Sequence, residues 1–489
     1  MMRMVGTPAR LQQLIHSSTL KAWMPTKRFQ STAAGAASST AEGAVTAKVT
    51  KSKTETALTT GLLLGGAATA IYGISSYSTS KEDEPTVGLD PQKLRAYQAL
   101  DPIRAHQEVK LPPNASQGYI SSCHINTFAA NEPCEDRYQI EYAPEGASYF
   151  LVADGHTGTE ASQYAKNKLI QWVRWSLSNR PRTDSTDPLA IEKDDISAIR
   201  KGFQQADKQF LEYHLRQKEK RGGLAGACLN MAIIHKAHLY VANAGDCRAV
   251  IATRSEGKLK AVPLSEDHTG ETEIERLRAE HTDDPDVVVR GRIKGRLQPS
   301  RGLGDGLYKL PEYSQVYRDT RNRELAKKWN PPYTTADPVV KSVPLTDRDE
   351  FVILATDGLW DHLSNDEAVS IVDSYKVRML LNSKLSVRQK DVERNASTAL
   401  IMRALEIAAK SSIDKGKIQT QGEMKGDITR QDKLENYILK LEPKQKRRVH
   451  DDITVLVVFL NRSKLKKEAE PTSRLPDPPQ PLETPTPEG

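Results

Sequence analysis

The sequence predicts an α+β fold, helices packed on antiparallel sheets, over residues 115–462. Short apolar runs bounded by turn residues recur through this stretch, and helical periodicities interrupt them. The two do not alternate strictly, as they would in a doubly wound parallel sheet. In chain order the strand-like runs are Tyr149–Ala153, Cys228–Ile234, His238–Ala242, Ala249–Ala252, Phe351–Ala355 and Ile453–Leu460. After the first of them, Ile196, Ile199, Phe203, Ala206, Phe210 and Tyr213 recur at alternating steps of three and four, which lays an apolar stripe along one helix face. Asp194 or Asp195 is the expected cap at its start. A later helix is expected where Ala399, Leu400, Met402, Ala404, Leu405 and Ala408 cluster.

With 489 residues the chain has room for two or three average domains, or for one large domain with appendages. Hydrophobic residues make up 38% and charged residues 27%, which fits a globular protein with polar extensions. The net charge of +7 is unevenly placed, with one basic cluster in the first 30 residues and another at Lys444, Lys446, Arg447 and Arg448. No aromatic interleaving or nucleic-acid motif accompanies either cluster, so nucleic acid is not an expected partner. The four cysteines, Cys123, Cys134, Cys228 and Cys247, form no C-x-x-C pair, which argues against a zinc finger and against a disulfide scaffold. They read as small buried hydrophobes.

Residues 1–41 hold no Asp or Glu, are rich in Ser, Thr and Ala, and carry Arg3, Arg10, Lys21, Lys27 and Arg28. Leu11, Leu14 and Ile15 share a helical face. This is the composition of a mitochondrial transit peptide, with Arg28-Phe29-Gln30-Ser31 a plausible cleavage neighbourhood. Residues 57–77 are uncharged over about 21 positions, enough for an inner-membrane span, although Gly, Ser and Thr dilute their hydrophobicity. Residues 410–449 read as a polar insertion, and the Pro-rich segment 463–489 as a disordered tail.

The chemistry lies in aspartates at the ends of apolar runs. Asp136 follows Glu135 in CEDR, Asp154 stands in FLVADGHTG, and Asp246 in VANAGDCRAV. Asp357 and Asp361 lie in FVILATDGLWD, and Asp451 and Asp452 open HDDITVLVVF. Each alone reads as ordinary turn chemistry. Together, carboxylates at the mouths of neighbouring strands converge on one sheet edge, where they repel one another unless cations neutralise them. Oxygen ligands without a Cys or His cluster select hard ions, Mg2+ or Mn2+. A pair of such ions lowers the pKa of water and clamps a phosphoryl oxygen, so no side-chain nucleophile is needed. His156, two residues past Asp154, is placed to give a leaving oxygen its proton.

The ordered series EDR, FLVADGHTG, GACLNMAIIHKAHLYVANAGDCRAV, SEDH, PSRGLGD, FVILATDGLWD and DDITVLVV resembles the type 2C (PPM) family of metal-dependent protein serine/threonine phosphatases. The resemblance implies a four-layer αββα sandwich, two antiparallel sheets flanked by helices, with the metals at one edge. It implies that Asp154 bridges two metals, that the Gly155 carbonyl is a further ligand, and that Asp357 and Asp451 are direct ligands. Glu135 and Asp136 match the acidic pair that holds metal-bound water, and Asp246, with Asp357 and Asp361, a weaker third site. His156 matches the general acid. The sequence also departs from the family pattern. Asn131 stands where the family has its phosphate-binding arginine, and Arg137 is the nearby candidate substitute. Ala225-Gly226-Ala227-Cys228-Leu229 replaces an S-G-S/T-T-A stretch, Cys247 replaces a serine, and Asp452 stands where asparagine is commoner.

EDHTGETEIERLRAEH, PPYTTADPVV, NASTALIMRALEIAAK and the DDIT segment are similar to the pyruvate dehydrogenase phosphatase branch. That resemblance implies phosphoserine on the E1α subunit of the pyruvate dehydrogenase complex as substrate. Two readings compete with it: a mitochondrial phosphatase for another phosphoprotein, and a non-catalytic regulator that keeps the fold.

Overall fold

Doubly buried strands dominate the structure, a computed structural model that describes residues 107–109, 118–180, 187–321, 325–326, 328–382, 395–414, 441, 443–467 and 484–486. All of them belong to the unit Asp83–Gly489. The transit-peptide segment 1–41 and the uncharged segment 57–77 lie outside the described residues. Among the described residues no helix is long and apolar enough to cross a membrane.

The strands are β1 (Gln107–Val109), β2 (Ile120–Phe128), β3 (Arg137–Tyr142), β4 (Ala147–His156), β5 (Gly226–His235), β6 (His238–Ala244) and β7 (Arg248–Ser255). They continue with β8 (Lys258–Pro263), β9 (Val288–Val289), β10 (Arg292–Ile293), β11 (Leu303–Gly304), β12 (Val339–Pro344), β13 (Asp349–Ala355) and β14 (Ile453–Leu460). Two six-stranded sheets result, ordered β1-β2-β14-β13-β7-β8 and β12-β6-β5-β4-β3 with β11 beside β5, and β9 and β10 form a separate pair. Neighbouring strands in both sheets run antiparallel.

The helices, in chain order, are α1 (Glu160–Tyr164), α2 (Ile170–Ser178), α3 (Pro188–Arg216), α4 (Ile274–Glu280), α5 (Gly306–Lys309) and α6 (Tyr313–Arg321). They continue with α7 (Asp357–Trp360), α8 (Asn365–Asn382), α9 (Ala396–Asp414), α10 (Pro443–Val449) and α11 (Arg462–Leu465). Three apolar clusters show how they stack. Tyr149 and Leu151 of β4 pack with Trp172 of α2 and Phe203 and Phe210 of α3. Phe351 and Ile353 of β13 and Val455 of β14 pack with Val372 of α8 and Leu400 of α9. The alternate residues Phe150, Val152, Val352, Leu354, Leu456 and Val458 fill the space between the sheets. The expected four layers are therefore present: helices, sheet, sheet, helices. Because both faces of β4, β13 and β14 are buried, their sequences are unbroken apolar runs rather than alternating ones.

The six expected strands all form. The edge strands β8 and β12, KLKAVP and VVKSVP, are half exposed and have no continuous apolar signature. β2 also lacks a continuous apolar signature, because its buried His124 and Asn126 serve as polar anchors. Asn126 Nδ2 donates to Thr398 Oγ1 (2.8 Å), and the Ala396 amide donates to His124 Nδ1 (3.1 Å). Asn395 meanwhile caps α9 through the Ser397 amide (2.8 Å).

The start of the long helix α3 differs from expectation. It begins at Pro188, capped by Asp187, whose carboxylate accepts from the Leu189 amide (3.1 Å). Asp195 is buried within the helix and pairs with Arg180 (2.9 Å). The apolar stripe starts later than the helix because the first turns face solvent. β1 adds a strand before residue 115, while α9 runs on to Asp414 and α10 occupies Pro443–Val449, both within the stretch read as an insertion. Leu465 of α11 is buried in the inter-sheet cluster, so the ordered body passes residue 462.

One half-buried latch holds the segment between β8 and β11. Glu273 accepts from Arg301 (2.6 Å), Arg276 (2.9 Å) and Ser300 (2.7 Å). Burial alone would raise its pKa, but these donors outweigh it and bring the carboxyl down to about 2. The stabilisation is fully present above the ordinary carboxylate pKa and is lost as pH falls toward 2. Glu273→Gln should destabilise the fold at pH 7 by on the order of 2–3 kcal/mol. In thermal melts the gap between parent and variant should close as pH falls from about 4.5 toward 2.

Candidate metal centre

The strands deliver their acidic ends to one edge of the sandwich. β4 runs into Asp154-Gly155-His156, and its partner β3 begins with Arg137 opposite Ala153, which puts Glu135 and Asp136 alongside. In the other sheet Ala355, ending β13, pairs with both Val455 and Arg248, so Asp357, the Asp451–Asp452 pair and Asp246 meet at the same end.

Carboxylate oxygens of Asp154, Asp246 and Asp357 lie within 4.8 Å of one another. Asp361 follows one turn along α7, its amide donating to the Asp357 carbonyl (2.8 Å). Asp451 occupies the exposed rim. It is not one of the tight three, although its charge acts on both Asp154 and Asp357. Asp246, expected at a third position, thus stands beside Asp154 and Asp357, and Asp451 stands at the rim of the same group.

This crowding is unfavourable for bare carboxylates. Burial, then the charge of Asp357, pushes the Asp154 carboxyl well above its usual range. Burial, then Asp246, does the same to Asp357, and burial, then Asp452, to Asp136. The buried Oδ1 atoms of Asp357 and Asp136 have no hydrogen-bond partner. An all-oxygen donor set with unpartnered buried oxygens fits a hard divalent cation such as Mg2+ or Mn2+.

The surrounding residues fix this geometry. Thr356 Oγ1 donates to Asp136 Oδ2 (2.9 Å) and accepts from the Thr454 amide (2.9 Å), tying the acidic pair to β13 and β14. Glu135 Oε1 accepts from the Gly158 amide (2.8 Å), and Oε2 faces Arg447 Nη1 at 3.5 Å. Burial raises the pKa of Glu135, and Arg447 opposes that shift. Asp452 gathers the loop before β3 by accepting from the amides of Ala130 (2.6 Å), Asn131 (2.8 Å) and Glu135 (2.7 Å). A carboxylate can accept all of these donors at once, which gives the Asp at this position a structural reason. Gly155 must lack a side chain, since a Cβ there would collide with the Glu135 carbonyl oxygen.

Arg137, the candidate phosphate binder, is otherwise engaged. Its guanidinium donates to the carbonyls of Cys134 and Asp136 (2.7 Å each) and to Gln163 Oε1 (2.7 Å). These bonds brace the loop that carries Glu135.

His156 Nε2 lies 3.0 and 3.1 Å from the two carboxylate oxygens of buried Asp305. Burial alone would lower the imidazole pKa, but the charge and hydrogen bond of Asp305 outweigh it, and the net shift is upward. Asp305 holds a left-handed backbone (φ 54°), and its amide donates to the Ala225 carbonyl (2.9 Å). Gly226 leaves room for the pair, because a Cβ there would strike both side chains. Asp305 ends the PSRGLGD segment and received no role from the sequence. Its signal was present, an Asp beside glycines, but its partner is 149 positions away.

A family model described as Protein phosphatase 2C matches residues 115–413. The chain is 33% identical over 350 residues to "Probable protein phosphatase 2C 67" of Arabidopsis thaliana, covering 68% of this chain and 81% of that protein. It is 30% identical over 358 residues to "Probable protein phosphatase 2C 28" of Oryza sativa subsp. japonica, covering 69% and 77%. A solved serine-threonine phosphatase 2C from Toxoplasma gondii overlays with a TM-score of 0.47 at 19% identity, over 73% of this chain and 99% of that one.

Two measurements probe the site without an assay of turnover. Asp154→Asn should weaken calorimetric binding of Mg2+ or Mn2+ by more than about tenfold, since it neutralises the carboxylate at the centre of the group. Asp305→Asn removes the charge that raises the His156 pKa, so the imidazole titration followed by NMR should move to lower pH. An unmoved midpoint would mean that Asp305 does not tune His156.

Proposed function

Because this chain belongs to the protein phosphatase 2C family of metal-dependent serine/threonine protein phosphatases, we propose that it works in the mitochondrion on phosphoserine of the pyruvate dehydrogenase E1α subunit. The observation that carries hydrolysis is the convergence of Asp154, Asp246 and Asp357 within 4.8 Å, beside a histidine held by a carboxylate. The residues that would hold the ions are Asp154, the Gly155 carbonyl, Asp357 and Asp451, with Glu135 and Asp136 acting through water and Asp246 and Asp361 completing a third position. Two bound divalent ions supply Lewis acidity, lowering the pKa of water and neutralising phosphoryl charge.

The chain's own residues do the rest. With Nε2 on Asp305, His156 has Nδ1 left to pass a proton to the departing serine or threonine oxygen. The raised pKa keeps more of the imidazole protonated near neutral pH, the form a general acid needs. Asp305 fixes the ring, and Gly226 admits both side chains.

The choice of substrate and compartment rests on the sequence. The acid-free, basic segment 1–41 supports mitochondrial import. EDHTGETEIERLRAEH, PPYTTADPVV and NASTALIMRALEIAAK support the pyruvate dehydrogenase phosphatase branch. In the same reading, residues 57–77 associate with the inner membrane.

The test presents purified chain with phosphorylated E1α and a panel of other phosphorylated mitochondrial proteins, with Mg2+ or Mn2+ and with chelator as control. Metal-dependent release of phosphate from E1α ahead of the panel is the expected result. Rapid turnover elsewhere with none on E1α would overturn the substrate assignment. No metal-dependent turnover on any member would favour a non-catalytic regulator.

A further inference from the structure

The basic cluster around Arg447 has no part in the catalytic account above, yet α10 brings it to the rim of the acidic cleft. Arg447 Nη1 donates to Asn131 Oδ1 and lies 3.5 Å from Glu135 Oε2. Asn131 in turn donates through Nδ2 to Asp451 Oδ1 (3.3 Å) and Asp452 Oδ2 (3.1 Å). One uncharged side chain therefore separates the guanidinium from the rim carboxylates.

We propose that Arg447 binds the phosphate of the phosphoprotein substrate at this rim. A phosphomonoester dianion approaching Glu135, Asp451 and the carboxylates beneath them needs a cationic contact from the protein, and a guanidinium fork matches two phosphate oxygens. Other arginines near the cleft are committed elsewhere. Arg137 braces carbonyls. Arg248 makes a two-point bond with Asp267 (3.0 and 2.6 Å), bonds Asn365 (3.0 Å) and lies over the Trp360 ring. Arg447 keeps 57% of its side chain exposed, and its 3.5 Å approach to Glu135 is longer than a charge-assisted hydrogen bond.

Its position is nonetheless defined. Two residues on, Val449 is buried against the β14 face, and the His450 ring lies 5.2 Å from Phe128. The next residues are Asp451 and Asp452, so the peptide that carries Arg447 is the one that enters the centre.

This proposal rests on the phosphatase reading of the site. The test compares the full chain with its Arg447→Ala and Arg447→Lys variants. It reads the inhibition constant of inorganic phosphate, KM and kcat on a phosphoserine peptide, and calorimetric binding of Mn2+ and of inorganic phosphate. Arg447→Ala should raise the inhibition constant and KM by roughly tenfold or more, with a smaller change in kcat and unchanged Mn2+ affinity. Arg447→Lys should fall between, keeping the charge and losing the fork. Unchanged phosphate inhibition and KM in Arg447→Ala would overturn the proposal. So would a rise matched by an equal loss of Mn2+ affinity, which would make Arg447 only a support for Glu135. Absence of turnover in the parent would defeat the phosphatase reading instead, and the calorimetric phosphate titrations would still read Arg447 by itself.

Discussion

Mutual repulsion among carboxylates at one sheet edge is the constraint that the rest of the structure serves. At the 4.8 Å limit of the Asp154–Asp246–Asp357 group, two like charges oppose each other by about 3 kcal/mol at an effective dielectric of 20. No bare arrangement of these groups stays fully ionised, which is why their acidities are displaced upward together. A cation reverses the sign of that energy. The same crowding that destabilises the empty centre then becomes the source of its affinity and of its preference for hard ions.

Holding such a group together requires a frame stiffer than the repulsion. Asp154 comes from one sheet and Asp357 from the other, so their separation is set by the apolar layer between the sheets, where Phe150 and Val152 share a cluster with Val352 and Leu354. Interiors packed at this density resist small displacements. The polar devices act on the loops that the sheets do not restrain. Asp452 collects the amides before β3, Thr356 fastens Asp136, and Glu273 ties down the segment leading to Asp305.

The sequence was most legible where physics leaves a local trace. Strands buried on both faces, such as β13 and β14, are continuous apolar runs that need no partner to be recognised. The aspartates were legible because each closes or opens such a run. Edge strands β8 and β12 were not, since half-exposed residues carry no unbroken pattern. The role of Asp305 was hidden because it depends on a histidine far away in the chain, and that of Arg447 because a basic cluster reads as a solvated face until a fold sets it beside acids. The closeness of Asp246 to Asp154 and Asp357 is hidden for a similar reason: proximity between turns of different sheets leaves no mark in either turn.

The position of β14 has a consequence for how the protein comes into being. It is the last described strand in the chain, yet it lies inside its sheet between β2 and β13. A nascent polypeptide cannot close that sheet before β14 emerges, and until Asp452 does so the amides of Ala130, Asn131 and Glu135 lack the carboxylate that gathers them. Such late, long-range closure is slow and leaves strand edges open to chaperones in the meantime. A chain that lacks β14 therefore also lacks Asp451 and Asp452 and leaves β2 and β13 without the strand that joins them.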